Sequence, residues 1–122
     1  MFRNIIQYFN KKNLKDTKYE FLFDKTLNDE YVCFDCETTG LNPKKDDIVS
    51  IGAVIIKNNT IIASKRFVKF VKPKTKLQAD AIKIHHIRIC DLKDAEDINT
   101  VIEDFLNFIG NRTLVGYFLD FD

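Results

Sequence analysis

The sequence predicts an α/β domain built on a mixed sheet. Three observations carry that prediction. Runs rich in β-branched and aromatic residues at 31–36, 48–56, 61–71 and 113–117 read as strands, two helical stripes fall between the third and the fourth, and 122 residues fit one domain. A chain of this size buries roughly two-thirds of its unfolded surface, so it needs no disulfide or metal staple. Four Gly and two Pro exclude a collagen-like or low-complexity chain, and 12% aromatics with a mean hydropathy of −0.20 argue against disorder. No apolar run is long enough to span a bilayer and the N-terminus lacks an apolar signal core, so the expectation is a soluble, cytoplasmic domain with no membrane contact.

Each element has its own local cause. Phe2, Ile5, Ile6 and Phe9 fall at i, i+3, i+4 and i+7, which predicts an amphipathic helix. Lys11, Lys12, Lys15 and Lys18 make a basic link, so residues 1–28 read as a helical extension, either packed on its own domain or meeting a partner. Tyr31 to Cys36 form a strand expected to be buried, broken by Thr38-Thr39-Gly40 and Asn42-Pro43. Asn58-Asn59 makes a tight turn, pairing Ile48–Ile56 with Ile61–Val71 as a hairpin that Pro73 ends. Residues 78–86 read as a helix. Ile98, Val101, Ile102, Phe105, Leu106 and Ile109 make a second, closed by Gly110. Thr113–Tyr117 completes the sheet as a fourth, buried strand.

Net charge is +1, but it is unevenly spread. Residues 57–88 hold nine basic groups against Asp80 alone, whereas 89–122 hold two against eight acids. The basic block reads either as a polyanion-binding face or as a solvated strand followed by a Lys-rich loop. Cys33 and Cys36 have C-x-x-C spacing, yet side chains three apart on a strand point to opposite faces. With Cys90, they read as reduced thiols rather than metal or redox ligands.

The chemistry lies in Phe34-Asp35-Cys36-Glu37-Thr38-Thr39-Gly40. Asp35 and Glu37 sit two apart at the carboxyl end of a strand, so both carboxylates project to one side. Two hard oxygen ligands fixed on a rigid strand make half of a Mg²⁺ or Mn²⁺ site. Without a cation the two charges repel, which is poor design for a structural role. A bare D-x-E also fits two solvated acids, so the flanking pattern decides.

That pattern runs Asp35-Cys36-Glu37-Thr38-Thr39-Gly40-Leu41-Asn42-Pro43, then Asp47-Ile48-Val49-Ser50-Ile51-Gly52-Ala53-Val54. It resembles the first motif of the DEDD-type 3′–5′ exonucleases, most nearly the branch of the proofreading epsilon subunit of bacterial DNA polymerase III and its stand-alone relatives. Phe70-Val71-Lys72-Pro73 resembles the end of that family's third strand, and Ala81-Ile82-Lys83-Ile84-His85-His86-Ile87 its A-x-x-I-H-G-I segment. Leu114 to Asp122 resembles the second motif.

The resemblance covers about residues 30–122 and implies a ribonuclease H-like mixed sheet with flanking helices, and two-metal hydrolysis of the terminal phosphodiester bond. It implies Asp35, Glu37 and Asp122 as catalytic metal ligands for two divalent cations, Mg²⁺ or Mn²⁺. Thr38, Thr39, Gly40 and His85 would hold the terminal nucleotide, His85 equally fitting a packed or capping imidazole. The expected substrates are single-stranded or frayed 3′ ends of DNA, with a replicative polymerase subunit as a possible partner. An exoribonuclease, or a non-catalytic module binding nucleic acid or a polymerase, is the alternative.

Departures qualify this. Ser50 stands where relatives often have Glu, Tyr117-Phe118 replaces a His-Asn pair, and His86 occupies a usual Gly position. The third motif's histidine and aspartate have no counterpart here. The expectation is therefore an incomplete exonuclease domain at 29–122, truncated before the last strand and C-terminal helices, with little activity alone.

Overall fold

A computed structural model describes residues 2–117. The order is α1 (Phe2–Lys12), a 3₁₀ turn (Thr17–Phe23), β1 (Glu30–Thr38), β2 (Ile48–Lys57), β3 (Thr60–Phe70), α2 (Ala79–His85), a 3₁₀ turn (Ile89–Leu92), α3 (Ile98–Ile109) and β4 (Thr113–Val115). The four strands lie in the order β3-β2-β1-β4, antiparallel except for the parallel pair β1–β4. The predicted mixed sheet is present. Asn58 and Asn59 both have positive φ, 49° and 59°, the backbone that a two-residue hairpin turn demands.

Period-two alternation divides the sheet. Val32, Phe34 and Cys36 face α3 together with Ile51, Ala53, Ile55 and Phe67. Val101, Phe105 and Ile109 of α3 fill that face, and the Phe105 ring lies 5.6 Å from Phe34 and 5.4 Å from Phe67. Asp97 caps α3 by accepting from the Asn99 amide, and Gly110 closes it with a φ of 58°. A smaller cluster of Val49, Leu77 and Leu92 sits beneath the loops at the carboxyl end of β1. Cys33 and Cys36 point to opposite faces, the first half-buried and the second in the core.

Two expectations are corrected. β4 is exposed along its length, because among the described residues it is an edge strand paired only with β1. β1 is buried on one face only, since Tyr31 and Asp35 are exposed. The link after α1 also folds further than expected. Its 3₁₀ turn is joined to α3 by Lys18 Nζ to Glu103 at 3.2 Å, and Asn111 donates to the Lys25 carbonyl at 2.7 Å. No helix among the described residues is long and apolar enough to cross a membrane.

Candidate functional site

β1 carries Asp35 and Glu37 outward on the face opposite α3. Their cross-strand neighbours on β2 are Gly52 and Ser50, and beyond those lie Val68 and Phe70 of β3. A Cβ added at Gly52 would meet nothing within 4 Å, so the sheet beside Asp35 is open. An open trough of about 300 Å³ follows, lined by Cys33, Asp35, Gly52, Val54, Arg66 and Val68. Val68 and Phe70 are 66% and 42% exposed, so this face is both apolar and accessible.

Where β1 ends, its pairing with β2 slips by one residue between Glu37 and Thr38. The Thr38 hydroxyl donates to the Gly40 carbonyl at 2.6 Å. The Thr38 carbonyl lies 3.2 Å from Nε2 of His85, whose Nδ1 accepts from the Ile87 amide at 3.0 Å. An accepting Nδ1 leaves the neutral ring's proton on Nε2, so His85 donates to β1 and ties the end of α2 to it.

Thr39 is fully buried and touches three segments. Its amide donates to the Asp47 carbonyl at 2.8 Å and its carbonyl accepts from the Gln78 amide at 3.0 Å. Its hydroxyl donates to Asp46 Oδ1 at 3.2 Å and accepts from the Asp47 amide at 3.0 Å, with the Thr75 hydroxyl 2.9 Å away. Asp46 also accepts from the Asn42 amide and the Gln78 side chain. Asp47 Oδ2 accepts from the amides of Lys74 at 2.7 Å and Thr75 at 2.6 Å. The Thr75 amide, with help from the Thr75 hydroxyl and Lys74, holds the Asp47 carboxyl below the usual aspartate range despite its partial burial. Gly40 completes the clamp: a Cβ there would lie 2.2 Å from Gln78 Nε2 and 2.6 Å from Asp46 Oδ2.

The structure brings Asp35, Glu37, Thr38, Thr39, Gly40 and His85 to one end of β1, whereas Asp122 lies outside the described residues. Thr39 differs from its expected role. Its hydroxyl is spent inside the protein, so the side chain shapes the loop from beneath. The sequence reading missed Asp46, Thr75 and Gln78, and the clamp role of Asp47. Their only signal was an acidic pair followed 27 residues later by a Lys/Thr loop. Among the described residues no group of three or more His, Cys, Asp or Glu is placed to hold a metal ion.

Residues 32–122 match the family RNase_T, described as exonuclease. The chain is 33% identical over 119 residues to a DNA polymerase III PolC-type of Mycoplasmopsis pulmonis, covering 98% of this chain and 8% of that protein. It is 40% identical over 92 residues to the PolC-type polymerase of Bacillus subtilis, covering 75% of this chain and 6% of that one. The chain thus spans less than a tenth of the length of these relatives. In fold it resembles E. coli exonuclease I solved with a dA16 oligonucleotide, with a TM-score of 0.65, 19% identity and coverage of 74% and 20%. It also resembles the cell-death related nuclease CRN-4, with a TM-score of 0.63, 21% identity and coverage of 72% and 34%.

Proposed function

The chain belongs to the RNase_T exonuclease family, and on that premise we propose that it serves 3′–5′ removal of 5′-mononucleotides from single-stranded or frayed DNA ends. One observation carries the reading. Asp35 and Glu37 project from the same face of β1, and Asp35 lines an open trough in which Gly52 leaves the space beside it clear. The PolC-type relatives favour DNA and a polymerase setting over RNA.

The carboxylate pair fits hard divalent cations, Mg²⁺ or Mn²⁺, which lower the pKa of an attacking water and offset charge on the phosphate. Asp35 and Glu37 would hold such ions, and Asp122 is the proposed third ligand. The protein's own contribution is orientation. The Thr38–Gly40 turn, held by His85 from one side and the Thr39 clamp from below, fixes the carboxyl end of β1 beside the proposed site of the terminal nucleotide. A rigid turn selects ends whose last base unpairs cheaply, hence frayed or mismatched termini. The general base of the resembled family's third motif has no candidate here, since no histidine follows His86.

The test is Mn²⁺ binding by paramagnetic resonance, followed by titration with a 5′-mononucleotide. The chain should bind Mn²⁺, the nucleotide should bind only in its presence, and Asp35→Ala should remove both. A version extended through a His-x-x-x-x-Asp motif should release 5′-mononucleotides from a labelled single strand. Mn²⁺ binding untouched by Asp35→Ala, or no nucleotide release by the extended version, overturns the reading.

A further inference from the structure

The basic segment 57–88 divides in three dimensions into two populations. Lys57 pairs with Glu30, Lys69 with Glu96 and Asp104, Lys83 with Asp80, and Arg88 with Asp91. These cations are neutralised within the fold. Lys72, Lys74 and Lys76, on the loop after β3, are exposed and form no ion pair among the described residues, although Lys74 acts on Asp47 through space, and Lys65 and Arg66 on β3 are likewise exposed without an ion pair. The same holds for Lys44 and Lys45, on the loop after β1.

These two loops are joined at the carboxyl end of β1. Asp47 accepts from the amides of Lys74 and Thr75, and Asp46 from Gln78. Lys72 and Lys74 line the same cavity of about 300 Å³ as Thr38, Pro43, Asp46 and Asp47. Within the two loops, Lys44, Lys45, Lys72, Lys74 and Lys76 outnumber Asp46 and Asp47, which accept hydrogen bonds inside the clamp, so the joined loops keep an excess of positive charge.

We propose that Lys72, Lys74 and Lys76, with Lys44 and Lys45 on the adjoining loop, form a phosphate-binding rim for the single strand whose 3′ end reaches Asp35 and Glu37. The inference rests on the exonuclease reading and adds where the strand's upstream phosphates run. Lysine suits that task. It is a point charge on a flexible stem, which follows successive phosphates without demanding a fixed base sequence.

Fluorescence anisotropy with a 5′-fluorescein single-stranded oligonucleotide tests it, with Ca²⁺ replacing Mg²⁺ and salt varied. The triple variant K72A/K74A/K76A should bind about tenfold or more weakly at about 50 mM salt and lose about 2 from the slope of log K against log salt. A variant with equal charge loss elsewhere, K12A/K15A/K25A, should keep the parent's affinity and slope. Parental binding by the first variant, or equal losses in both, overturns the rim. The two readings fail separately. If the first variant binds normally while Asp35→Ala loses Mn²⁺, only the rim is wrong; if it loses the strand while Asp35→Ala keeps Mn²⁺, only the assignment of Asp35 is wrong.

Discussion

β1 presents two faces built from alternate residues, and they follow opposite rules. On one, Val32, Phe34 and Cys36 pack with α3 in the hydrophobic core. On the other, Asp35 and Glu37 stand over Gly52 and Ser50, and the apolar neighbours Val68 and Phe70 are left exposed. A strand needs only one packed face to be held in its sheet, so the second can carry charged side chains. The ends of the same strand repeat the contrast. Glu30 is held by Lys57 at 2.7 Å and Arg112 at 2.9 Å, and Lys57, then Arg112, hold its carboxyl below the usual range. Asp35, five residues later, has no ion pair among the described residues. The difference marks which carboxylates serve the fold and which remain available for a ligand.

The largest effect on stability belongs to the packed face. Phe105→Ala should cost about 3–5 kcal/mol in urea unfolding, because its ring fills the space between Phe34 and Phe67. A cost of less than about 1 kcal/mol would mean that α3 does not carry the core. Next comes the clamp. Thr39→Val keeps the shape but strands the Asp47 amide and removes one of Asp46's donors, at about 1–3 kcal/mol, and Thr39→Ser should restore most of the loss. A full loss in the serine variant would shift the credit from the hydroxyl to the methyl group.

Acid titration examines the same clamp. Asp47's native pKa is depressed, so its contribution is complete above its ordinary value of 3.8 and fades as pH falls through the lower native value. Unfolding free energies of the parent and Asp47→Asn should therefore converge on acidification. A gap that stays constant with pH would remove charge from the explanation.

A smaller change should act in the opposite direction. His86 sits at φ 62° and ψ 9° as the residue ending α2, a left-handed conformation that costs a side chain about 1–2 kcal/mol. His86→Gly should raise stability by up to about 1 kcal/mol in the same assay. The smallest stability effect belongs to the exposed face. Asp35→Asn should leave unfolding within about 0.5 kcal/mol of the parent while weakening Mn²⁺ binding. Marked destabilisation would return Asp35 to the acids that hold the fold.

Much of this was present in local pattern. The hairpin followed from Asn58-Asn59, α3 from its apolar stripe and Gly110, and the shared face of Asp35 and Glu37 from the two-residue period of a strand. The exposure of β4 was not, because Thr113-Leu114-Val115 reads the same whether or not other elements cover it. The clamp was hidden for a related reason. Asp46, Asp47 and Thr39 find their partners at 74–78, and no local rule says which distant amides will use up a carboxylate's acceptors.

The basic block was an intermediate case. Its composition was plain in the sequence, but the division into paired and unpaired lysines depended on which acids α3 and the loops brought alongside. By itself, then, the sequence determined the elements, the face on which Asp35 and Glu37 stand, and the family to which their motif points. Only the tertiary structure decided which charges are spent and which are left over, because hydrogen-bond and ion-pair capacity is consumed by neighbours in space rather than along the chain.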